Sequence, residues 1–273
     1  MRRAKQYIKL FEPPLFLLIR IHLLRHFGKL FGDKIVDGYT NQNFLKHYVS
    51  RGEAFRNQLN AGRTLMISEV TPALGLMLVK TSSPMTILDF GGGTGNQFHI
   101  MKTLFPEGKF NWNIIETPEL VHHIYQQLQS DTMIVGNSNL SFSSCLHDFS
   151  IDKPKIDIII AASSLQYISD PYSKLIELLN FEARAIHISR MPLTNQEELL
   201  VFSQISRLND NGPQGEAVSS NSQVTNTVYI PNLKKFESII SLKYSYVIIL
   251  IESLDGYPDS KHRVPLYSII AYN

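Results

Sequence analysis

The chain has 273 residues, 44% of them hydrophobic, which suits one large α/β domain with an accessory segment and excludes a disordered chain. Cys145 is the single cysteine, so an internal disulfide and a cysteine metal cluster are excluded and a reducing, cytoplasmic compartment is expected. The formal net charge of +2 favours no class of partner, but its distribution is uneven.

Residues 1 to 31 hold Arg2, Arg3, Lys5, Lys9, Arg20, Arg25 and Lys29 against one acid, Glu12, which leaves the remainder net acidic. Apolar clusters lie between these bases, but Pro13, Pro14 and Arg20 cut them short of the ~20 apolar residues of a membrane span. No small-residue cleavage site follows, which argues against a secretory signal. Two readings remain: a peripheral contact with an anionic inner-membrane surface, or helices packed on the domain behind them. Nucleic acid is not an expected partner, because no wider basic surface interleaved with aromatics follows.

Gly38-Tyr39 marks a turn, after which Asn43 to Asn60 and Ser68 to Lys80, with Pro72 near the start of the second, read as helices. Residues 1–80 are therefore expected to form a helical cap, a place for substrate selection. From residue 81 to 273 strands and helices alternate, as in a parallel sheet with helical crossovers.

Met85 to Phe90 reads as the first strand of that sheet, and Asn96 to Leu104 as a helix. Between them lies Asp89-Phe90-Gly91-Gly92-Gly93-Thr94-Gly95, where glycines allow positive φ and close approach of a ligand to backbone. The helix N-terminus adds free amide donors. A dinucleotide fingerprint beginning at Gly91 would need glycine where Asn96 stands, and no Gly-Lys-Ser/Thr follows for a P-loop. The spacing D-x-G-x-G-x-G resembles motif I of S-adenosylmethionine (SAM) methyltransferases.

Phe110 to Ile115 is the next strand, and Glu119 to Leu128 its helix. A weak third strand falls at Met133 to Val135 or at Leu140 to Ser144. Ile156 to Ala161 is a clear fourth strand, and Asp170-Pro171 opens a helix through Leu179, with Asp170 as its N-cap. Ala183 to Ser189 is the fifth strand. A helix near Glu197 to Ile205, a mobile loop around Asp210-Asn211-Gly212-Pro213 and a helix over Asn232 to Ile240 are then expected. Tyr244 to Ile251 and Leu266 to Tyr272 are closing strands. Cys145 reads as a small buried hydrophobe.

In an open parallel sheet ligands bind beyond the carboxyl ends of the strands, at the topological switch point. Asp89 with Gly91, Gly92, Gly93 and Gly95 ends one strand, and Glu116-Thr117 ends the next. Glu116 lies 21 residues after Gly95, where a carboxylate can accept hydrogen bonds from ribose hydroxyls. Ser163, Ser164 and Leu165 would line the methionine portion, and Ser143 or Ser144, with Asp148 as a further option, would meet adenine. Tyr167, His187 and Arg190 are the polar candidates for work on the acceptor. His187 lies between Ile186 and Ile188 and also suits a satisfied core histidine, while Arg190 suits an anionic acceptor. His122-His123 are adjacent on a helix and point apart, so a metal site is not expected.

Beyond the motif, the chain resembles the SAM-dependent methyltransferases of bacterial gene clusters for surface polysaccharide and related glycoconjugates. The blocks that carry the resemblance are Leu88 to Gly92, Trp112 to Pro118, Ser163 to Ile168 with Asp170-Pro171, Arg190-Met191-Pro192, and Tyr229-Ile230-Pro231 before Phe236. The resemblance implies a Rossmann-like seven-stranded methyltransferase sheet behind an N-terminal helical cap, with the last strand inserted antiparallel. It also implies SAM as cofactor and transfer of a methyl group to O or N of a saccharide or other small polar metabolite. Members of this pattern often carry an acid before the strand-end arginine, where this chain has Ser189. A non-catalytic binding module of the same fold, acting on a protein or membrane partner, is the alternative. Oligomeric state is not legible in the sequence.

Overall fold

The computed structural model describes residues 35–37, 41–65, 67–78, 84–128, 139–147, 155–207, 223–258 and 263–273. The expectations for residues 1–31, Gly38-Tyr39, Met133 to Val135, Asp148 and Asp210 to Pro213 lie outside the described residues.

A short strand β1 (Ile35–Asp37) and the helices α1 (Gln42–Asn60) and α2 (Ile67–Leu78) come first. Then follow β2 (Met85–Phe90), α3 (Asn96–Leu104), β3 (Phe110–Ile115), α4 (Pro118–Leu128) and β4 (Leu140–Ser143). The chain continues through β5 (Ile158–Ala162), a 3-10 turn (Leu165–Tyr167), α5 (Pro171–Leu179) and β6 (Ala185–Pro192). It closes with β7 (Leu200–Arg207), β8 (Gln223–Ile230), α6 (Leu233–Ser241), β9 (Tyr246–Pro258) and β10 (Arg263–Tyr272).

The β-branched runs stand side by side in a seven-stranded sheet of order β4-β3-β2-β5-β6-β10-β9. From β4 to β6 every neighbouring pair is parallel, and β10 enters antiparallel between β6 and β9. This is the mixed α/β architecture expected, helices preceding the sheet. The order steps one way from β2 through β3 to β4 and the other way from β5 to β6. The switch point therefore lies between β2 and β5, and a crevice opens beyond their carboxyl ends.

Both faces of the sheet are covered, which explains why β5 reads as an unbroken apolar run. Ile158 and Ile160 face a core shared with Phe44, Leu45 and Phe55 of α1 and Phe98 of α3. Ile159 faces the opposite core, with Leu175 and Leu178 of α5 and Phe236 of α6. Asp170 caps α5 by accepting the Ser173 amide, with Pro171 in the first turn, and Asn232 caps α6 through the Lys235 amide.

One open choice is resolved and two expectations need correction. The weak third strand is Leu140–Ser143, where pairing with β3 selects the segment. The helix expected over Glu197 to Ile205 is instead β7, paired antiparallel with β8 in a second sheet of order β1-β8-β7. Leu200 and Phe202 turn toward Val228, Ile230 and Val264, while Val201 and Ile205 are exposed, a period of two that tertiary pairing favours over a short polar helix. Cys145 is exposed after β4 rather than buried, and its amide donates to Ser143 Oγ at 3.3 Å.

Candidate functional site

The turn after β2 is built from backbone that only glycine tolerates. Gly91, Gly93 and Gly95 have φ of 69°, 60° and 83°. A Cβ on Gly91 would stand 2.3 Å from Ser164 Cβ, and one on Gly92 would stand 2.5 Å from Asp89 Oδ2. Gly95 caps α3 in the left-handed conformation, and no side chain bonds the helix's first amides from that cap.

Two carboxylates meet at this turn. Asp89 is fully buried, and its Oδ2 accepts Trp112 Nε1–H at 3.0 Å. Its Oδ1 has no hydrogen-bond partner. Burial lifts this carboxyl to about 7; the Trp112 bond opposes the rise, Glu116 adds to it and Arg190 lowers it. Glu116 Oε1 accepts the Gly93 amide at 2.9 Å and its Oε2 accepts the Thr117 amide at 3.0 Å. Burial raises its pKa, and those two bonds hold it down. Thr117 Oγ1 accepts the Leu120 amide at 3.4 Å and so starts α4.

Beyond β5, Ser163 takes a left-handed φ of 57°, and its amide donates to the Ser189 carbonyl at 2.9 Å. The buried Gln166 donates to Ser163 Oγ at 2.9 Å. Ser164 Oγ is buried beside Gly91 without a partner, whereas Leu165 packs into the core of α5 and α6. Tyr167 donates its hydroxyl to Gln204 Oε1 of β7 at 3.3 Å. Beside it a cavity of about 380 Å³ is lined by Tyr167, Ile168, Ser169, Asn226, Thr227 and Tyr229, with no charged group among them. At the end of β4, Ser143 Oγ bonds the backbone of Cys145 and Ser144 is exposed.

The β6 residues divide between interior and mouth. His187 is fully buried, its Nε2 3.0 Å from Ser268 Oγ. A Cβ on Gly75 of α2 would lie 3.4 Å from His187 Cβ. Burial, followed by the charge of Arg190, lowers His187 to about 4, so it is neutral and belongs to the core. Arg190 has φ 53°, its amide donates to Glu252 Oε2 at 3.0 Å, and its Nε is buried without a partner. Ser189 Oγ is likewise buried and unpaired. No group of three or more His, Cys, Asp or Glu stands placed to hold a metal among the described residues.

The sequence places the helix α1, but not its approach to this turn. A Cβ on Gly93 would stand 2.8 Å from the Tyr48 hydroxyl, and one on Gly52 would overlap Thr94. Arg56 Nη1 reaches the Thr94 carbonyl at 3.5 Å. Tyr48, Gly52 and Arg56 follow at intervals of four, the spacing of one helix face, and that was the signal available.

No model of a protein family matches the chain, and no curated protein matches it by sequence. Solved structures resemble it in shape. A methyltransferase of Haloferax volcanii, solved with its Trm112 activator, is 11% identical, covers 85% of this chain and 96% of its own, and has a TM-score of 0.47. A SAM-dependent methyltransferase of Clostridium acetobutylicum is 13% identical over 82% of this chain and 98% of its own, also with a TM-score of 0.47. The plantazolicin methyltransferase BpumL, solved with S-adenosylhomocysteine, is 15% identical over 94% of this chain and 99% of its own, with a TM-score of 0.46. Such likeness is too distant to bear on activity; the sheet order and the glycine turn stand independently of it.

Proposed function

We propose that the protein is a SAM-dependent methyltransferase acting on O or N of a saccharide or other small polar metabolite. The observation that carries this reading is the bond from the Gly93 amide to Glu116, which ties the glycine turn of β2 to the acid ending β3 at the switch point. The residues fit the cofactor. The turn has positions where any Cβ would collide, Asp89 Oδ1 and Ser164 Oγ are buried and unpaired, and Glu116 stands where ribose hydroxyls would meet a carboxylate.

When bound, SAM supplies a methyl already activated on a sulfonium. The protein's part is then to hold the acceptor in line and exclude water. Gly91, Gly92, Gly93, Gly95 and Thr117 would shape the cofactor cradle, with Ser143 or Ser144 near adenine. The uncharged cavity between the 3-10 turn and β8 would take the acceptor, with Tyr167 at its rim. No acid precedes Arg190, so the reading favours an acceptor made reactive by position rather than by a carboxylate base. Residues 1–80 would act as the cap and residues 81–273 as the SAM-binding domain, in cytoplasmic glycoconjugate synthesis.

Calorimetric titration should show SAM binding that Gly93→Arg abolishes, and a screen of nucleotide sugars and polysaccharide intermediates should find one that converts SAM to S-adenosylhomocysteine. Unchanged affinity in Gly93→Arg would remove the assignment of the turn.

A further inference from the structure

The second sheet is inserted in the chain between β6 and α6, and two contacts hold it over the strand ends of the first. Val228 and Ile230 of β8 share an apolar cluster with Val264 at the start of β10, and Tyr167 of the 3-10 turn after β5 packs against the same cluster. β5 and β6 are parallel and β10 runs antiparallel to β6, so both anchors lie at the carboxyl edge. The cavity lies at this junction, with Tyr167 and Asn226 both in its lining.

One face of this sheet is apolar except at a single rung. Side chains alternate along a strand, and directly paired residues share a face. On the face turned to Tyr167, Leu200 pairs with Ile230 and Phe202 with Val228, and the next pair on that face is Gln204 with Asn226. Asn226 is buried, and Val224 and Val228, which flank it on the same face, are fully buried. Two opposed carboxamides in such a row forgo the burial that aliphatic side chains would gain there. They do not satisfy each other. Among the described residues, the one hydrogen bond to either carboxamide runs from the Tyr167 hydroxyl to Gln204 Oε1, at 3.3 Å. That bond sets the direction of the Gln204 amide and leaves its Nε2 hydrogens unused. Asn226 keeps its acceptor oxygen and both donor hydrogens. A buried polar group without a partner costs free energy, and a ligand that supplies the partner recovers that cost.

We propose that Gln204 and Asn226 select the acceptor, and that they select a neutral sugar ring through two neighbouring hydroxyl groups. This rests on the reading of the cavity as the acceptor site given above. A hydroxyl both donates and accepts, as a carboxamide does, so adjacent ring hydroxyls match two carboxamides whose Cβ atoms stand about 5 Å apart. An ionised group finds no counter-charge in the lining, and burying it there is unfavourable. Tyr167 is a positioning residue that holds Gln204 with Nε2 presented to the ring.

The test uses the full chain with S-adenosylhomocysteine present. The neutral probes are the methyl glycosides of glucose, galactose and mannose; the charged probes are the uronate and the amino-sugar counterpart of each. Dissociation constants are read by ligand-observed NMR titration. At least one neutral glycoside should bind, and at least about tenfold more tightly than either of its charged counterparts. Gln204→Leu and Asn226→Leu should each weaken the neutral glycoside about tenfold, with the calorimetric affinity for S-adenosylhomocysteine unchanged. Gln204→Glu keeps the side chain's shape, removes the Nε2 donors and adds a negative charge. It should weaken the neutral glycoside and tighten the amino sugar, a reversal that a residue serving only to hold the sheet together would not produce. Tyr167→Phe should show part of the loss seen in Gln204→Leu, and none beyond it in the double variant.

Equal binding of neutral and charged rings overturns the proposal and leaves the cofactor assignment standing. So does full affinity for the neutral glycoside in both leucine variants, or the failure of every neutral glycoside to bind. Where a leucine variant loses both ligands together, Gln204→Glu decides, and the absence of a reversal there overturns the proposal. A wild type that does not bind S-adenosylhomocysteine overturns the methyltransferase reading, and the acceptor assignment with it.

Discussion

Trp112 Nε1 donates a hydrogen bond to Asp89 Oδ2 at 3.0 Å, beneath the glycine turn and out of reach of solvent. The indole thus holds one carboxylate oxygen and leaves the other without a partner. Burial lifts Asp89 to about 7 in the folded protein, against about 4 unfolded. The raised value makes its stabilising contribution complete below pH ~4 and progressively lost as pH rises toward 7, on the order of 4 kcal/mol in all. His187, lowered to about 4, acts in the opposite sense: its contribution is present above its unfolded value and lost as pH falls through the folded one. Denaturation of Asp89→Asn between pH 4 and 8 should therefore lose the downward slope and retain a rise assignable to His187. Trp112 fluorescence should titrate near pH 7 in the wild type alone.

The approach of Ser164 to Gly91 sets a second expectation. Gly91→Ala places a Cβ 2.3 Å from Ser164 Cβ at a φ of 69°, combining overlap with a backbone region costly for alanine. Loss of about 2 to 4 kcal/mol is expected in urea denaturation. The companion change Ser164→Gly removes the opposing atoms and should recover part of that loss. No recovery would mean that overlap with Ser164 is not what excludes a side chain at Gly91.

On the proposed reading, acceptor binding in the uncharged cavity beside Tyr167 can be separated from cofactor binding. Thr227→Arg puts a long cation into a space of about 380 Å³ whose lining carries none. Turnover of whichever acceptor the screen identifies should fall by at least about a hundredfold, with the dissociation constant for SAM unchanged. Full turnover in this variant would move the acceptor site elsewhere on the sheet edge.

Residues 1–31 are the most basic part of the chain, and no described helix is long and apolar enough to cross a membrane. Their deletion should reduce sedimentation with anionic vesicles, with the effect fading as salt rises. Equal sedimentation of the full and shortened chains would assign the segment to packing on the domain.

Much of the fold was legible because its signals are local. A strand ending in Asp89 and alternate glycines, the Asp170-Pro171 helix start and the unbroken apolar run of β5 each declare themselves within about ten residues. The failures share a cause as well. Glu197 to Ile205 carries a polar pattern that a helix also satisfies, and from Leu200 it becomes β7 because β8, some twenty residues on, offers it a ladder. Cys145 is apolar by type but follows the last paired residue of β4, so the end of the ladder and not its chemistry exposes it.

The D-x-G-x-G-x-G turn was singled out by the sequence alone, because positive φ and close packing admit only glycine there. Composition and periodicity also determined the alternating sheet and the strand ends that share its edge. Tertiary structure decided what faces the turn. Glu116 closes onto Gly93, Asp89 keeps one oxygen unpaired, Arg190 is aimed by its bond to Glu252, and Tyr48 arrives from a helix 45 residues before Gly93. Backbone conformation leaves its trace in neighbouring residues, whereas the burial and electrostatic company of a side chain depend on segments far away in the chain.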